Sequence, residues 1–161
     1  MKSKITKVSA ITVLSLAVLV VISAAFAEPA RDPVSGSGSS SAINEFQFAG
    51  SATLVIRGQE KSAQLLVTVL APPKVSEDGV QHVLATHTFT FADGSITTSD
   101  MEIAEPTDTP GLYTLNANME VVSGTGVYEG VTGRLIAHGT IDFRALPAAE
   151  FEIVGVISAV E

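Results

Sequence analysis

Residues 121–143 read VVSGTGVYEGVTGRLIAHGTIDF, and this stretch decides the fold. Its core places Gly124, Gly126, Gly130 and Gly133 around Tyr128. Glycine accepts positive φ and close backbone approach, so such a run can fold back on itself. Tyr128 is predicted to plug one end of a β-structure, its hydroxyl reaching a backbone partner. The following segment alternates strictly. Leu135, Ala137, Gly139, Ile141 and Phe143 share one parity, while Arg134, His138, Thr140, Asp142 and Arg144 take the other. A glycine-rich knot before an alternating strand can join antiparallel neighbours that are not in simple hairpin register.

The same period of two runs through the rest of the chain, the mark of strands with one buried face. Phe46, Phe48, Gly50, Ala52, Leu54 and Ile56 form one such row, and Ala63, Leu65, Val67 and Val69 a second. Val83, Ala85, His87, Phe89 and Phe91 continue it up to a turn at Asp93-Gly94. A strand over about 95–104 follows, then a rigid acidic loop from Glu105 to Pro110. Tyr113, Leu115, Ala117, Met119 and Val121 alternate most clearly of all. The segment from Phe151 to Val160 is apolar on both parities and is read as a strand covered on both sides. No amphipathic helix of useful length is visible. About seven strands joined by short turns give an all-β barrel or sandwich, and closure is favoured because it removes unpaired edges.

The glycine segment resembles the Gly-Gly-Thr-Gly-x-Phe/Tyr-x-Gly-x-x-Gly stretch of the allene oxide cyclase and dirigent-like barrel superfamily. The lead-in from Thr88 to Thr97 (TFTFADGSIT) is similar to the turn and strand preceding that motif in bacterial relatives. The resemblance covers roughly residues 86–157. It implies a closed, antiparallel, eight-stranded calycin-like barrel around an apolar cavity. Members of the family cyclise fatty epoxides, steer phenoxy-radical coupling or close polyketide rings without cofactor or metal, by holding a substrate in one reactive shape. Inward carboxylate, amide or arginine groups of the family have no counterparts here that can be carried over by residue. The inward parity from Phe46 to Ile56 is wholly apolar.

The N-terminus reads as a secretion signal over residues 1–27. Lys2, Lys4 and Lys7 precede the apolar run Ile11–Ile22, and Ala25-Phe26-Ala27 offers a cleavage site. Cleavage leaves no stable membrane anchor. Residues 28–41 (EPARDPVSGSGSSS) contain one sizeable apolar side chain, Val34, and are read as a flexible linker. The barrel domain is then placed at 42–161. Losing three lysines leaves six basic residues against seventeen acidic ones, a net charge of −11. That surface repels phosphate backbones, which excludes nucleic-acid binding. The chain contains no cysteine, so disulfides and a lipobox anchor are excluded. Export to a bacterial periplasm or exterior is the expected localisation.

His87 is the one titratable side chain assigned to an inward position, and it is the candidate for acid/base work or a polar hook. With Phe89, Phe91 and Tyr113 it makes up the expected ligand-binding set. His82 and His138 fall on outward parity, so the histidines do not converge and no metal is expected. The acidic stretches Glu77-Asp78 and Glu102 to Asp108 lack calcium-loop spacing and read as solvated turns. Asn116 and Asn118 face outward as a polar exterior. No hydrolase nucleophile arrangement is recognisable.

Two functions are expected from these features. The favoured one is a secreted, non-catalytic barrel that binds a small hydrophobic molecule or acts in an envelope interaction. The alternative is a cofactor-free cyclase or isomerase, whose requirement is a cavity of roughly 300 Å3 or more with His87 open to it. The final strand's second face, with Val154, Val156 and Val160, admits a homo-oligomer.

Overall fold

The computed structural model describes residues 30–158; the signal segment read over 1–27, and Val160, lie outside them. Nine strands follow one another: β1 (Arg31–Asn44), β2 (Gln47–Ile56), β3 (Gln59–Val69), β4 (Lys74–Val75), β5 (Gln81–Phe91), β6 (Gly94–Pro106), β7 (Leu112–Gly126), β8 (Gly133–Asp142) and β9 (Ala148–Ser158). They pair antiparallel in the order β3-β2-β1-β9-β8-β7-β6-β5, and β3 pairs back onto β5. That last ladder, Gln64–Val69 against Thr90–Ala85, closes an eight-stranded barrel. The two-residue β4 is an addition outside the ring, paired with His82 and Gln81 of β5.

Alternation makes the core. Leu54 and Ile56, Leu65 and Val67, Phe89 and Phe91, Met119 and Val121, Leu135, Ile153 and Ile157 all point inward and are buried. The rows expected from parity on β2, β3, β5, β7 and β8 are therefore the inward rows of the barrel.

The linker is the main correction. From Arg31 onward it is β1, hydrogen-bonded to β2 on one side and β9 on the other, so the domain begins near residue 31 rather than 42. The sparse apolar content that suggested a tether has another cause. Along β1 the inward positions are Val34, Gly36, Gly38 and Ser40, with Ser35, Ser37, Ser39 and Ser41 outward. At Gly38 a Cβ would lie 2.7 Å from the Phe151 ring, so larger side chains from neighbouring strands cover this strand from inside. Its ladders hold it without a large apolar contribution of its own.

The glycine knot builds the far end of the barrel. Tyr128 is buried and packs on Phe91 with ring centroids 5.1 Å apart, the plug that was expected. Its hydroxyl meets no backbone partner; instead the Lys61 ammonium sits 5.3 Å from the ring centroid. Gly126 takes φ 63°. At Gly124 a Cβ would collide with the Tyr128 carbonyl oxygen at 2.0 Å, so this position tolerates no side chain. β9 departs from the reading of a strand covered on both sides: Phe151, Ile153 and Ile157 are buried, but Val154 is exposed to 52% and Val156 is half-buried.

Deletion of residues 31–41 distinguishes a strand from a tether. The ring loses a member and β2 and β9 become open edges. The shortened protein is expected to lose its cooperative thermal transition in circular dichroism. Retention of a native-like transition would contradict the place assigned to β1.

Candidate functional site

One end of the barrel is closed by the Tyr128 plug and the other is open. Between the β1–β2 turn, the loop after β3 and the β8–β9 loop lies a cavity of about 130 Å3. Phe48, Val67, Val83, Ala104, Leu115, Ile141, Ala149 and Phe151 supply apolar walls, while Glu45 and Phe143 stand at its mouth. The rim is fixed locally: Phe143 N donates to the Gly111 carbonyl at 2.8 Å, and Arg144 chelates Asp142 with bonds of 2.9 and 2.6 Å. Those bonds from Arg144 hold the Asp142 carboxyl down at about 2.

The polar groups of the cavity wall are Ser40, His87, Glu102 and Gln81. His87 lies on β5 and is buried, as parity required. The surprise is β6. Its inward row is Ile96, Thr98, Asp100, Glu102 and Ala104, while Met101 is exposed to 58% on the outer face. Two carboxylates thus enter the barrel beside His87. The register explains the meeting, because Ala85 opposes Asp100 and His87 opposes Thr98, so His87 and Asp100 are diagonal neighbours across one ladder.

His87 Nδ1 lies 2.8 Å from Asp100 Oδ2 and 3.7 Å from Glu102 Oε1. The imidazole is held between Phe89, stacked at 6.1 Å between centroids, and the edge of Phe151 at 6.2 Å. Thr98 Oγ1 donates to the His87 carbonyl at 3.4 Å, which ties the two strands at that point. Asp100 Oδ1 and Glu102 Oε1 are buried without a hydrogen-bond partner. An unpartnered buried acceptor costs about 1–3 kcal/mol, more when it is charged. Burial pushes the Glu102 carboxyl above its ordinary value; the neighbouring His87 pulls it down and the Asp100 charge pushes it up again. The wall therefore offers a carboxyl with a raised pKa beside an imidazole hydrogen-bonded to a second carboxyl, a set of groups of the kind that exchange protons.

The other expected ligand-binding residues are placed differently. Phe89 is fully buried behind His87 rather than on the cavity wall, and Phe91 lies at the plugged end. Tyr113 stacks edge-on against Phe143 at 5.4 Å and is absent from the cavity lining. Of that set only His87 faces the cavity. His82 and His138 are exposed, as expected, and His138 Nδ1 bonds Asn116 Oδ1 at 2.6 Å. Glu102 belongs to β6, not to an acidic loop. Parity counting could have found the β6 pair, since Thr98, Asp100 and Glu102 share the parity of Ile96, but Met101 and Ile103 on the opposite parity masked it.

The architecture is that of a closed eight-stranded barrel with an apolar mouth and a buried acid–base cluster beneath it. No family model matches the chain, and no curated protein matches it significantly. Two solved structures are similar to it. The pterocarpan synthase dirigent protein GePTS1 shares 16% identity over 95% of this chain and 99% of its own, with a TM-score of 0.42. The corresponding figures for the pterocarpan synthase dirigent protein PsPTS1 are 15%, 83% and 98%, with a TM-score of 0.40. The barrel rests on the strand pairings themselves, and no residue role passes from either protein to this chain.

Glu102→Gln removes the burial penalty while keeping the shape. A carboxyl whose value is raised by folding favours the native state at low pH, and that advantage is lost as pH rises through the folded value. The variant is therefore expected to match the wild type near pH 4 and exceed it at pH 8. A gain on the order of 1 kcal/mol corresponds to roughly 3–6 °C in Tm. Calorimetric melting at the two pH values checks this; a variant less stable at pH 8 would contradict the assigned environment.

Proposed function

We propose that this barrel binds a small, largely apolar molecule carrying one hydrogen-bonding head group, with the body in the mouth cavity and the head at His87 and Glu102. The observation that carries this reading is the convergence of an apolar pocket on a buried acceptor that has no partner, Glu102 Oε1. A pocket of this kind takes a ligand by excluding water from its apolar part and fixes orientation through a few polar groups. The volume limits the ligand. About 130 Å3 is close to the roughly 150 Å3 of an apolar cavity that accommodates benzene. The ligand is accordingly of that bulk, or a larger one that projects between Glu45 and Phe143. Export to a bacterial periplasm or exterior is part of the same proposal, supported by the N-terminal sequence and the absence of cysteine.

A second reading, cofactor-free isomerisation or ring closure, is supported by the His87–Asp100–Glu102 set. His87 would take a proton and Glu102, 3.7 Å away on the same wall, would return one to a neighbouring atom of a small substrate. The cavity falls short of the roughly 300 Å3 expected for substrates of typical ligand size, so the binding reading comes first.

Calorimetric titration with phenol, benzyl alcohol and benzene separates the contributions. The two hydroxylated probes are expected to bind more tightly than benzene, and Val83→Phe, which fills the rim, to weaken them at least tenfold without lowering Tm. Equal or absent binding of all three would overturn the reading.

A further inference from the structure

The geometry points to a divalent-metal site formed by His87, Asp100 and Glu102, one that takes Zn2+ with an open coordination position facing the mouth cavity. It goes beyond ligand binding and does not depend on it. One imidazole nitrogen and two carboxylate oxygens lie within 4.8 Å of one another, all on buried residues. Zn2+ binds such nitrogen and oxygen atoms at about 2.0–2.2 Å, which sets neighbouring ligand atoms roughly 3.0–3.5 Å apart. The observed separations from His87 Nδ1, 2.8 and 3.7 Å, bracket that range. For those two pairs, seating an ion asks for shifts of well under 1 Å, and the two carboxylate oxygens, within 4.8 Å of each other, close by at most about 1.3 Å.

Three further observations favour an ion. Glu102 Oε1 has no hydrogen-bond partner although its residue is 8% exposed, and Asp100 Oδ1 is likewise unpartnered. In the forms that ligate a metal, both carboxyls ionised and the imidazole neutral, the cluster carries two negative charges, which one divalent cation balances. Among the described residues the lysine and arginine ion pairs are made elsewhere: Arg57 with Asp32, Lys61 with Asp93 and Arg144 with Asp142. Finally, the ligands stand on two adjacent, paired strands with the ring wedged between Phe89 and Phe151, the rigid support that a metal centre requires.

The donor set also selects among ions. Three protein ligands are too few for Ca2+, which takes six to eight oxygens, while one nitrogen and two oxygens with an open fourth position suit Zn2+. His87 and Glu102 line the cavity and Asp100 lies behind them, so the open position faces the pocket.

The test uses the full mature chain freed of metal by chelation. Calorimetric titration with Zn2+ is expected to show one ion per barrel, with a rise in Tm, and Co2+ in its place is expected to give visible d–d bands. Glu102→Gln, which keeps the fold, is expected to weaken Zn2+ binding at least 100-fold and abolish the bands, and Asp100→Asn to act likewise. His138→Ala, on the outer face, is expected to change neither. Absence of stoichiometric binding would overturn the site, as would binding that survives Glu102→Gln or disappears in His138→Ala. Since the probe is the metal alone, failure here leaves the phenol titration untouched, and failure there leaves this one standing.

Discussion

The ladder between β3 and β5 is the constraint on which the molecule depends. Without it the eight strands form an open sheet with two unpaired edges, and the inward row is merely one face of that sheet. With it, Gln64–Val69 meet Ala85–Thr90 and the row becomes an enclosed interior. Closure fixes register all round the ring, because a slip of one residue anywhere would turn a strand's apolar side chains into water. It also removes the exposed edges that otherwise invite pairing with other chains.

Enclosure is what gives the β6 carboxylates their character. On an open face Asp100 and Glu102 would be ordinary solvated acids. Inside the ring they share a low-dielectric space with His87, Phe89 and Phe151, where each lost hydrogen bond is costly. An unpartnered acceptor beneath an apolar opening costs stability, a loss that the proposed recognition of a head group accounts for. Departures from local folding rules of this kind concentrate where function resides. The plugged end, packed around Tyr128, also buries a hydroxyl without a hydrogen-bond partner, but there the Lys61 ammonium lies over the same ring.

The barrel was legible because most strands obey simple alternation. The rows on β2, β3, β5, β7 and β8 and the turn at Asp93-Gly94 could be read directly, and the glycine knot identified the closed topology. β1 escaped because its inward positions are glycine and serine; it owes its place to the ladders of its neighbours and to the Phe151 ring, and neither is a property of its own sequence. The site was half legible. His87 followed from parity, but Asp100 and Glu102 alternate with Met101 and Ile103, so hydrophobicity left the inward face of this strand unassigned. The antiparallel register of β5 with β6 shows which face looks inward.

Glu102 sits inside the barrel, desolvated, next to His87 and Asp100. Carbon-13 NMR titration of the Glu102 side-chain carboxyl in the metal-free protein tests it most directly. A midpoint above 4.5, the ordinary glutamate value, is expected for the buried carboxyl. A midpoint at or below that value would show the carboxyl to be solvated, and would place β6 with its other face toward the core.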